Sequence, residues 1–287
     1  MTPATYDNLR RLIFEKAGIV FGDDKVYLLE TRLNPVARKH GLADIDALAA
    51  ALRGANKPLL GDFVDALTTN ETFFFRDTKP FDEFRQFVLP DIMARRGAER
   101  HLRIWSAACS TGQEAYSLAM LLRETGIHQQ GWRIDIVGTD ISRAVLARAQ
   151  EGAFTQFEVQ RGLPIQLLIK YFRQVGDRWE IAPEVKAMVQ FREGNLMGDL
   201  SALGTFNVVF CRNVLIYFEL AQKTAILGRI AKIMKPDGFL FLGGAETVIG
   251  VSDKFGIVPN RRGIYHPVTA PAPGATPNAV FSAPARA

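Results

Sequence analysis

The strongest constraint on the fold is an alternation that begins near Arg103. An apolar run of strand length, "LRIWSAAC", is followed by a helical pattern, "GQEAYSLAMLLRETG", then by a second strand, "WRIDIVGTD", and a second helix, "SRAVLARAQEG". Strand, helix, strand, helix implies a parallel sheet, because each strand returns to the same end of the sheet through a right-handed crossover. "FNVVFCRN" and "GFLFLGG" extend that sheet, with the helix "ELAQKTAILGRIAKIMKPDG" between them. Residues 172–182, "FRQVGDRWEIA", read as a small hairpin turning at Gly176 and Asp177.

Residues 1–67 read instead as a helical domain. In "YDNLRRLIFEKAGIVF" the positions Leu9, Leu12, Ile13, Phe14 and Ala17 recur at helical spacing, and Gly18 is the stop. "KVYLLETRLNPVARKHGL" buries Val26, Leu29 and Leu33 and leaves Lys25, Arg32, Arg38 and Lys39 outside. Two shorter amphipathic helices, "ADIDALAAALRG" and "PLLGDFVDALTT", complete a small bundle. Residues 68–80 form a linker, residues 81–268 the sheet domain, and residues 269–287 a tail expected to be disordered. Five of the fourteen prolines follow His266.

Composition removes several classes of function. With 287 residues and 48% hydrophobic content the chain can bury a real core. No run of about 18 apolar residues is present, and charges interrupt the N-terminal apolar pattern, so neither membrane insertion nor a secretory signal is expected. The expected compartment is the cytoplasm. Cys109, Cys211 and four scattered histidines match neither a disulfide framework nor a zinc spacing, so no metal is expected. The net charge of +5 is spread without a dense basic run, which argues against nucleic acid and fits acidic protein partners equally well.

In an open parallel sheet, ligands bind beyond the carboxyl ends of the strands. After the first strand comes "SAACSTGQEAYSLA", where Ser106, Ala107, Ala108, Ser110, Thr111 and Gly112 let a ligand approach the backbone. The glycine fingerprint G-x-G-x-x-G is absent. Asp140 ends the second strand, where an acid accepts hydrogen bonds from a ribose diol; the plainer role is an N-cap, which Ser142 can also fill. Loop and acid together suggest an adenosine-containing cofactor. Glu114 lies in the first turn of its helix, where favouring the helix dipole is an equal explanation. Cys109 and Cys211 end apolar strands as small buried residues, with no neighbouring histidine to make either a nucleophile. Arg212 and Asn213 are polar groups at the end of an otherwise apolar strand, a position that usually faces a ligand.

The linker carries the oddest stretch, "TTNETFFFRD" from Thr68 to Asp77, in which Phe73, Phe74 and Phe75 cannot all point one way. A hydrophobic clamp with an incidental arginine is the plain explanation. Together, "TTNETFFFR", "IWSAACSTGQEAYSLAM", "VGTDIS", "GNLM" and "FNVVFCRNVLIYF" resemble the chemotaxis receptor methyltransferases of the CheR family, over roughly residues 6 to 266. The resemblance implies an all-α N-terminal domain before a Rossmann-like α/β methyltransferase domain that carries a small β-subdomain. It also implies S-adenosylmethionine as methyl donor, S-adenosylhomocysteine as product, and glutamyl methyl esters on chemoreceptors as the outcome.

By position, the resemblance makes Asn70, Thr72, Arg76, Glu114, Asp140, Asn195, Leu196, Cys211 and Arg212 the cofactor contacts. It places Arg76 and Tyr217 beside the transferring methyl, where they orient the acceptor carboxylate. The phenylalanines would then pack around a dry pocket while Asn70, Thr72 and Arg76 turn toward the ligands. Gln113 stands where some relatives have a second acid, a change that should spare cofactor binding. A small-molecule methyltransferase, a nicotinamide-dependent oxidoreductase and a non-catalytic adaptor are the competing functions; the missing glycine fingerprint weighs against the second and the retained site residues against the third.

Two expectations concern partners. Arg32 and Arg38 match family positions that face the chemoreceptor methylation helices, the plain alternative being a solvated helix face. The connection "QVGDRWEI", with one glycine and the bulky Trp179, is shorter than the loop of relatives that hold a receptor C-terminal pentapeptide. The chain is therefore expected to work without one.

Overall fold

The computed structural model describes residues 1–54 and 57–268; the expectation of a disordered tail over 269–287 lies outside the described residues. Four helices build the N-terminal domain: α1 (Pro3–Ala17), α2 (Val26–Lys39), α3 (Ile45–Leu52) and α4 (Lys57–Leu67). Thr2 caps α1, and Gly18 ends it at φ 71°, a left-handed conformation that glycine adopts without steric cost. Leu9, Ile13, Leu29, Leu33, Leu48 and Phe63 pack into this domain's own core.

From Thr68 the chain runs as a strap toward the sheet domain. Phe74 is fully buried, edge-on to Phe154 and Phe172 at centroid distances of 5.0 and 5.6 Å. Phe75 meets Phe81, while Phe73 lies beneath the guanidinium groups of Arg161 and Arg76. The three rings point three ways, which is how consecutive phenylalanines can all be useful on one irregular segment. Gly162 passes so close beneath the strap that a Cβ there would lie 2.1 Å from the carbonyl oxygen of Phe74.

Beyond the strap, α5 (Lys79–Glu83) and α6 (Leu89–Arg95) flank a widened, π-type turn over Phe84–Val88. In sequence, "DTKPFDEFRQFVLPDIMARR" shows only a helical pattern. Pro90 lacks the N–H that would continue the ladder, and the looser turn seats Phe84 against Phe210 and Phe241.

The central sheet has seven strands in the order β6-β2-β1-β7-β8-β10-β9. These are β1 (His101–Ala107), β2 (Arg133–Asp140), β6 (Val189–Glu193), β7 (Phe206–Cys211), β8 (Met234–Leu242), β9 (Phe255–Ile257) and β10 (Ile264–Pro267). Five are parallel; β10 and β9 close one side antiparallel. Along β7, Val208 and Phe210 enter the core on one face while Val209 and Cys211 enter the core on the other. That alternation buries the strand on both sides. The helices α7 (Gln113–Glu124), α8 (Arg143–Glu151) and α12 (Leu220–Lys232) complete the layers.

The β-subdomain is larger than its hairpin. Strand β3 (Ala153–Thr155) joins β4 (Phe172–Val175) and β5 (Arg178–Ile181) in the order β3-β5-β4. Helices α9 (Gln156–Gln160) and α10 (Ile165–Tyr171) lie between β3 and β4, and the short α11 (Pro183–Lys186) leads back to β6.

Candidate functional site

One cavity opens where the strap, the ends of β1, β2 and β7, and the end of α1 converge. The space between these elements, open mouth included, is about 930 Å³. Asn70, Thr72, Arg76, Glu114, Asp140, Asn195, Leu196, Arg212 and Tyr217 all line it. These nine, spread over 147 positions of sequence from Asn70 to Tyr217, thus share one chamber.

The chamber is built on strained backbone. Phe75, Asp77 and Thr78 in the strap, Ala108 and Ser110 after β1, and Asn213 after β7 all have φ between 45° and 66°. Such conformations are costly for residues with a Cβ and persist only where surrounding contacts enforce them. The Ser110 hydroxyl donates to the carbonyl of Asn70 at 2.8 Å, pinning loop and strap together.

Asp140 forms the floor. Its Oδ2 accepts from the Ser110 N–H and its Oδ1 from the Ser142 N–H, each at 2.9 Å. Ser142, not Asp140, caps α8 with its side chain, so the aspartate is not consumed as an N-cap. Each carboxylate oxygen keeps acceptor capacity after one hydrogen bond. Burial pushes this carboxyl above its usual value, against the two serine N–H bonds that favour ionisation. A buried acid with spare lone pairs, beside the small residues Ala108 and Ser110 and the apolar Ile141 and Leu196, fits a nucleoside whose ribose donates hydroxyl hydrogens.

Glu114 and Arg212 are engaged with each other. Arg212, with a side chain only 1% exposed, donates from Nη1 to Glu114 Oε2 at 2.9 Å and from Nη2 to Asp77 Oδ2 at 2.7 Å. The other Glu114 oxygen accepts from the Ser106 hydroxyl. Glu114 is therefore more than a helix-dipole partner. Asn195 divides its amide: Nδ2 donates to the Lys16 carbonyl at 2.7 Å, and Oδ1 accepts from the Met197 N–H. Arg76 donates to the Glu71 carbonyl, and the Tyr217 hydroxyl makes no hydrogen bond among the described residues.

Other expectations need correction. Cys211 is fully buried in the core behind β7 and does not line the chamber, because alternation along the strand turns its side chain inward. Burial raises both cysteine thiols well above their ordinary value, so neither is a thiolate. None of Phe73, Phe74 and Phe75 lines the chamber; they anchor the strap from behind. Arg32 is not free on the outside: its Nη1 donates to the Leu67 and Thr68 carbonyls at 3.1 and 3.2 Å, fixing the start of the strap. Arg38 does remain exposed. Gln113 is buried, accepts from the Thr111 hydroxyl and stays outside the chamber.

Sequence reasoning missed three groups. Ala17 and Ile19 bring the end of α1 into the wall. Asp77 completes the Arg212 fork. Glu246 gathers four backbone N–H groups on one carboxylate, those of Asn213, Val214, Leu215 and Gly243, at 2.6 to 2.9 Å. This shapes the turn that delivers Tyr217. The fragment "GGAE" looks like an ordinary exposed turn, and nothing local in it signals that role.

Comparison with known proteins then decides the family. The model described as "CheR methyltransferase, all-alpha domain" matches residues 4–68, and "CheR methyltransferase, SAM binding domain" matches residues 70–264. The chain belongs to the CheR methyltransferase family. Chemotaxis protein methyltransferase 1 of Pseudomonas aeruginosa is 41% identical over 272 residues, covering 93% of this chain and 99% of that one. The chemotaxis protein methyltransferase of Vibrio parahaemolyticus is 39% identical, covering 91% and 95%; that of Borreliella burgdorferi is 33% identical, covering 86% and 90%. A CheR chain is thus an all-α domain strapped onto a mostly parallel methyltransferase sheet. Among the described residues no helix is long and apolar enough to cross a membrane.

Proposed function

We propose that this chain transfers the methyl group of S-adenosylmethionine to glutamate side chains of chemoreceptors, leaving S-adenosylhomocysteine and a glutamyl methyl ester. The observation that carries the reading is the meeting of Arg76 and Tyr217 with Asp140 at one chamber. Asp140 would hold the ribose, while Asn70, Thr72, Glu114, Asn195, Leu196 and Arg212 would bound the rest of the cofactor. When bound, the cofactor supplies an electrophilic methyl on a sulfonium.

The chain's own task is placement. A glutamate carboxylate is already anionic at neutral pH, so the site needs no general base. Arg76 can hold one oxygen of that carboxylate by a charge-assisted hydrogen bond while the other attacks, and the unengaged Tyr217 hydroxyl can donate beside it. The strap, Ala17, Ile19 and Phe218 wall the chamber, so that with cofactor and acceptor in place they would displace water that would otherwise solvate the nucleophile. Because the Arg76 guanidinium also donates to the Glu71 carbonyl, its grip on the substrate is shared. A looser grip avoids over-stabilising a charge that disappears as the ester forms.

The acceptor is a chemoreceptor methylation helix in the cytoplasm, and exposed Arg38 on α2 supports docking of an acidic segment. The chain needs neither metal nor nucleic acid, and it works at the membrane's receptors without inserting. The β4–β5 connection is only Gly176 and Asp177, which supports independence from a receptor C-terminal pentapeptide. Calorimetric titration with such a peptide checks this, saturable low-micromolar binding being the contrary result. The main test is transfer of labelled methyl from S-adenosylmethionine to chemoreceptor-containing membranes. Label released by base as methanol is expected, and its absence refutes the reading.

A further inference from the structure

A second groove lies beside the chamber, across the same rim of the sheet. It runs over the end of β8 and the start of β10, from Leu242 and Gly243 to Gly263, and shares Asn213 with the chamber. The chamber sits over β1, β2 and β7; the groove sits over β7, β8 and β10. A ligand in the groove would therefore lie next to the cofactor along the carboxyl edge, on the side the cofactor does not need.

Its charges are unequally satisfied. Asp77 pairs with Arg212, Glu83 pairs with Arg261, and Glu246 accepts its four backbone N–H groups. All three acids of the groove are thus occupied. Lys79 and Arg262 are exposed at its edges, and neither side chain has an ion pair or hydrogen bond among the described residues. Ile249 and Ile257, 65% and 51% exposed, add apolar surface beside those cations. Where groove and chamber join, the Asn213 side-chain oxygen is buried without a hydrogen-bond partner, and its residue is held at φ 58°.

We infer that this groove is the docking track for the polypeptide that carries the methyl-accepting glutamate, an acidic segment whose carboxylates meet Lys79 and Arg262. The inference rests on the reading that a glutamate within a polypeptide is the acceptor. Charge complementarity selects this occupant: residues 269–287 contain no acidic side chain, so the chain's own tail cannot supply the matching charge. The track leads past Asn213 to the chamber that holds Arg76 and Tyr217, and it is distinct from the helical domain.

The test uses the full chain with Lys79→Glu and Arg262→Glu combined, both at exposed positions outside the chamber. Methyl transfer to chemoreceptor-containing membranes is measured against receptor concentration at low and moderate salt, beside calorimetry with S-adenosylhomocysteine. The expected result is a rise of about tenfold in the apparent KM for receptor, shrinking as salt increases, with cofactor affinity unchanged. The conservative pair Lys79→Arg and Arg262→Lys is expected to behave as the parent. A receptor KM within twofold of the parent in the reversed variant, while the parent methylates receptors, overturns the groove alone. No methylation by the parent overturns the reading of the reaction and the groove with it.

Discussion

Arg212, at the end of β7, donates from Nη2 to the carbonyl oxygen of Arg76 at 2.8 Å, across 136 residues of sequence. The same guanidinium holds Asp77 and Glu114. The arginine proposed to orient the acceptor is therefore placed by another arginine rooted in the sheet. One planar fork with three acceptors thus ties the strap, through Arg76 and Asp77, to Glu114 at the start of α7.

Replacing that fork should be costly in two separable ways. Arg212→Ala strands the Glu114 carboxylate, 13% exposed, and should destabilise the fold by about 3 kcal/mol. Arg212→Lys keeps a charge but not the fork, and should keep more stability than the alanine variant while losing turnover. Thermal unfolding beside initial rates checks this; a lysine variant with parental turnover would show that the fork is dispensable.

Asp140→Asn should weaken S-adenosylmethionine binding by about tenfold or more, since hydrogen bonds to a charged group are worth about 1.5–3 kcal/mol. The pH dependence has a definite sign. Burial raises the folded-state pKa of this acid, so its contribution to stability is fully present below the unfolded value and is lost as pH rises through the folded one. Cofactor affinity runs the other way, because a ribose hydroxyl needs the ionised acceptor. Affinity should fall on acidification at a pH above that of an ordinary aspartate. Calorimetry across the acidic range reads it, and a pH-independent affinity would remove Asp140 from the ribose.

Glu246→Gln leaves one oxygen where two now serve four N–H groups. The Asn213–Leu215 turn should loosen and kcat fall by about tenfold, with a smaller change in cofactor affinity. If the variant loses nothing beyond what Tyr217→Phe loses, and the double variant is additive, the carboxylate does not act through the tyrosine.

Arg76→Ala should lower turnover by about a hundredfold, with cofactor affinity changing much less, because Asp140 and its neighbours remain. Single-turnover rates at saturating cofactor separate the two effects. Parental single-turnover rates would reduce Arg76 to a structural residue.

The sheet's central strands were legible because β1, β2, β7 and β8 are apolar on both faces and bounded by helices of clear period. Strand β6 carries Gln190, Arg192 and Glu193 at the sheet edge, while β3, β9 and β10 span three or four residues, too short for periodicity to register. The site residues were legible through motifs, and nine of them do meet. The Cys211 side chain faces the core and not the chamber, since a motif identifies a neighbourhood and alternation decides which side chain faces it. Arg32, Asp77 and Glu246 act through partners 35, 135 and about 30 residues away. Such pairings exist only in the folded chain, where Arg32 meets the start of the strap, Asp77 the end of β7, and Glu246 the turn that follows β7.

The carbonyl of Lys16 receives the Asn195 amide, and Ala17 at the end of α1 and Ile19 just beyond it form part of the chamber wall. On the proposed assignment of the chamber to the cofactor, the helical domain would contribute to the cofactor's binding free energy. A ligand that shifted α1 relative to Asn195 would then change cofactor affinity, and thermodynamic reciprocity would have the cofactor change that ligand's affinity by the same factor. An enzyme built this way can register whether it is charged with methyl donor through the strength with which its helical domain holds a partner.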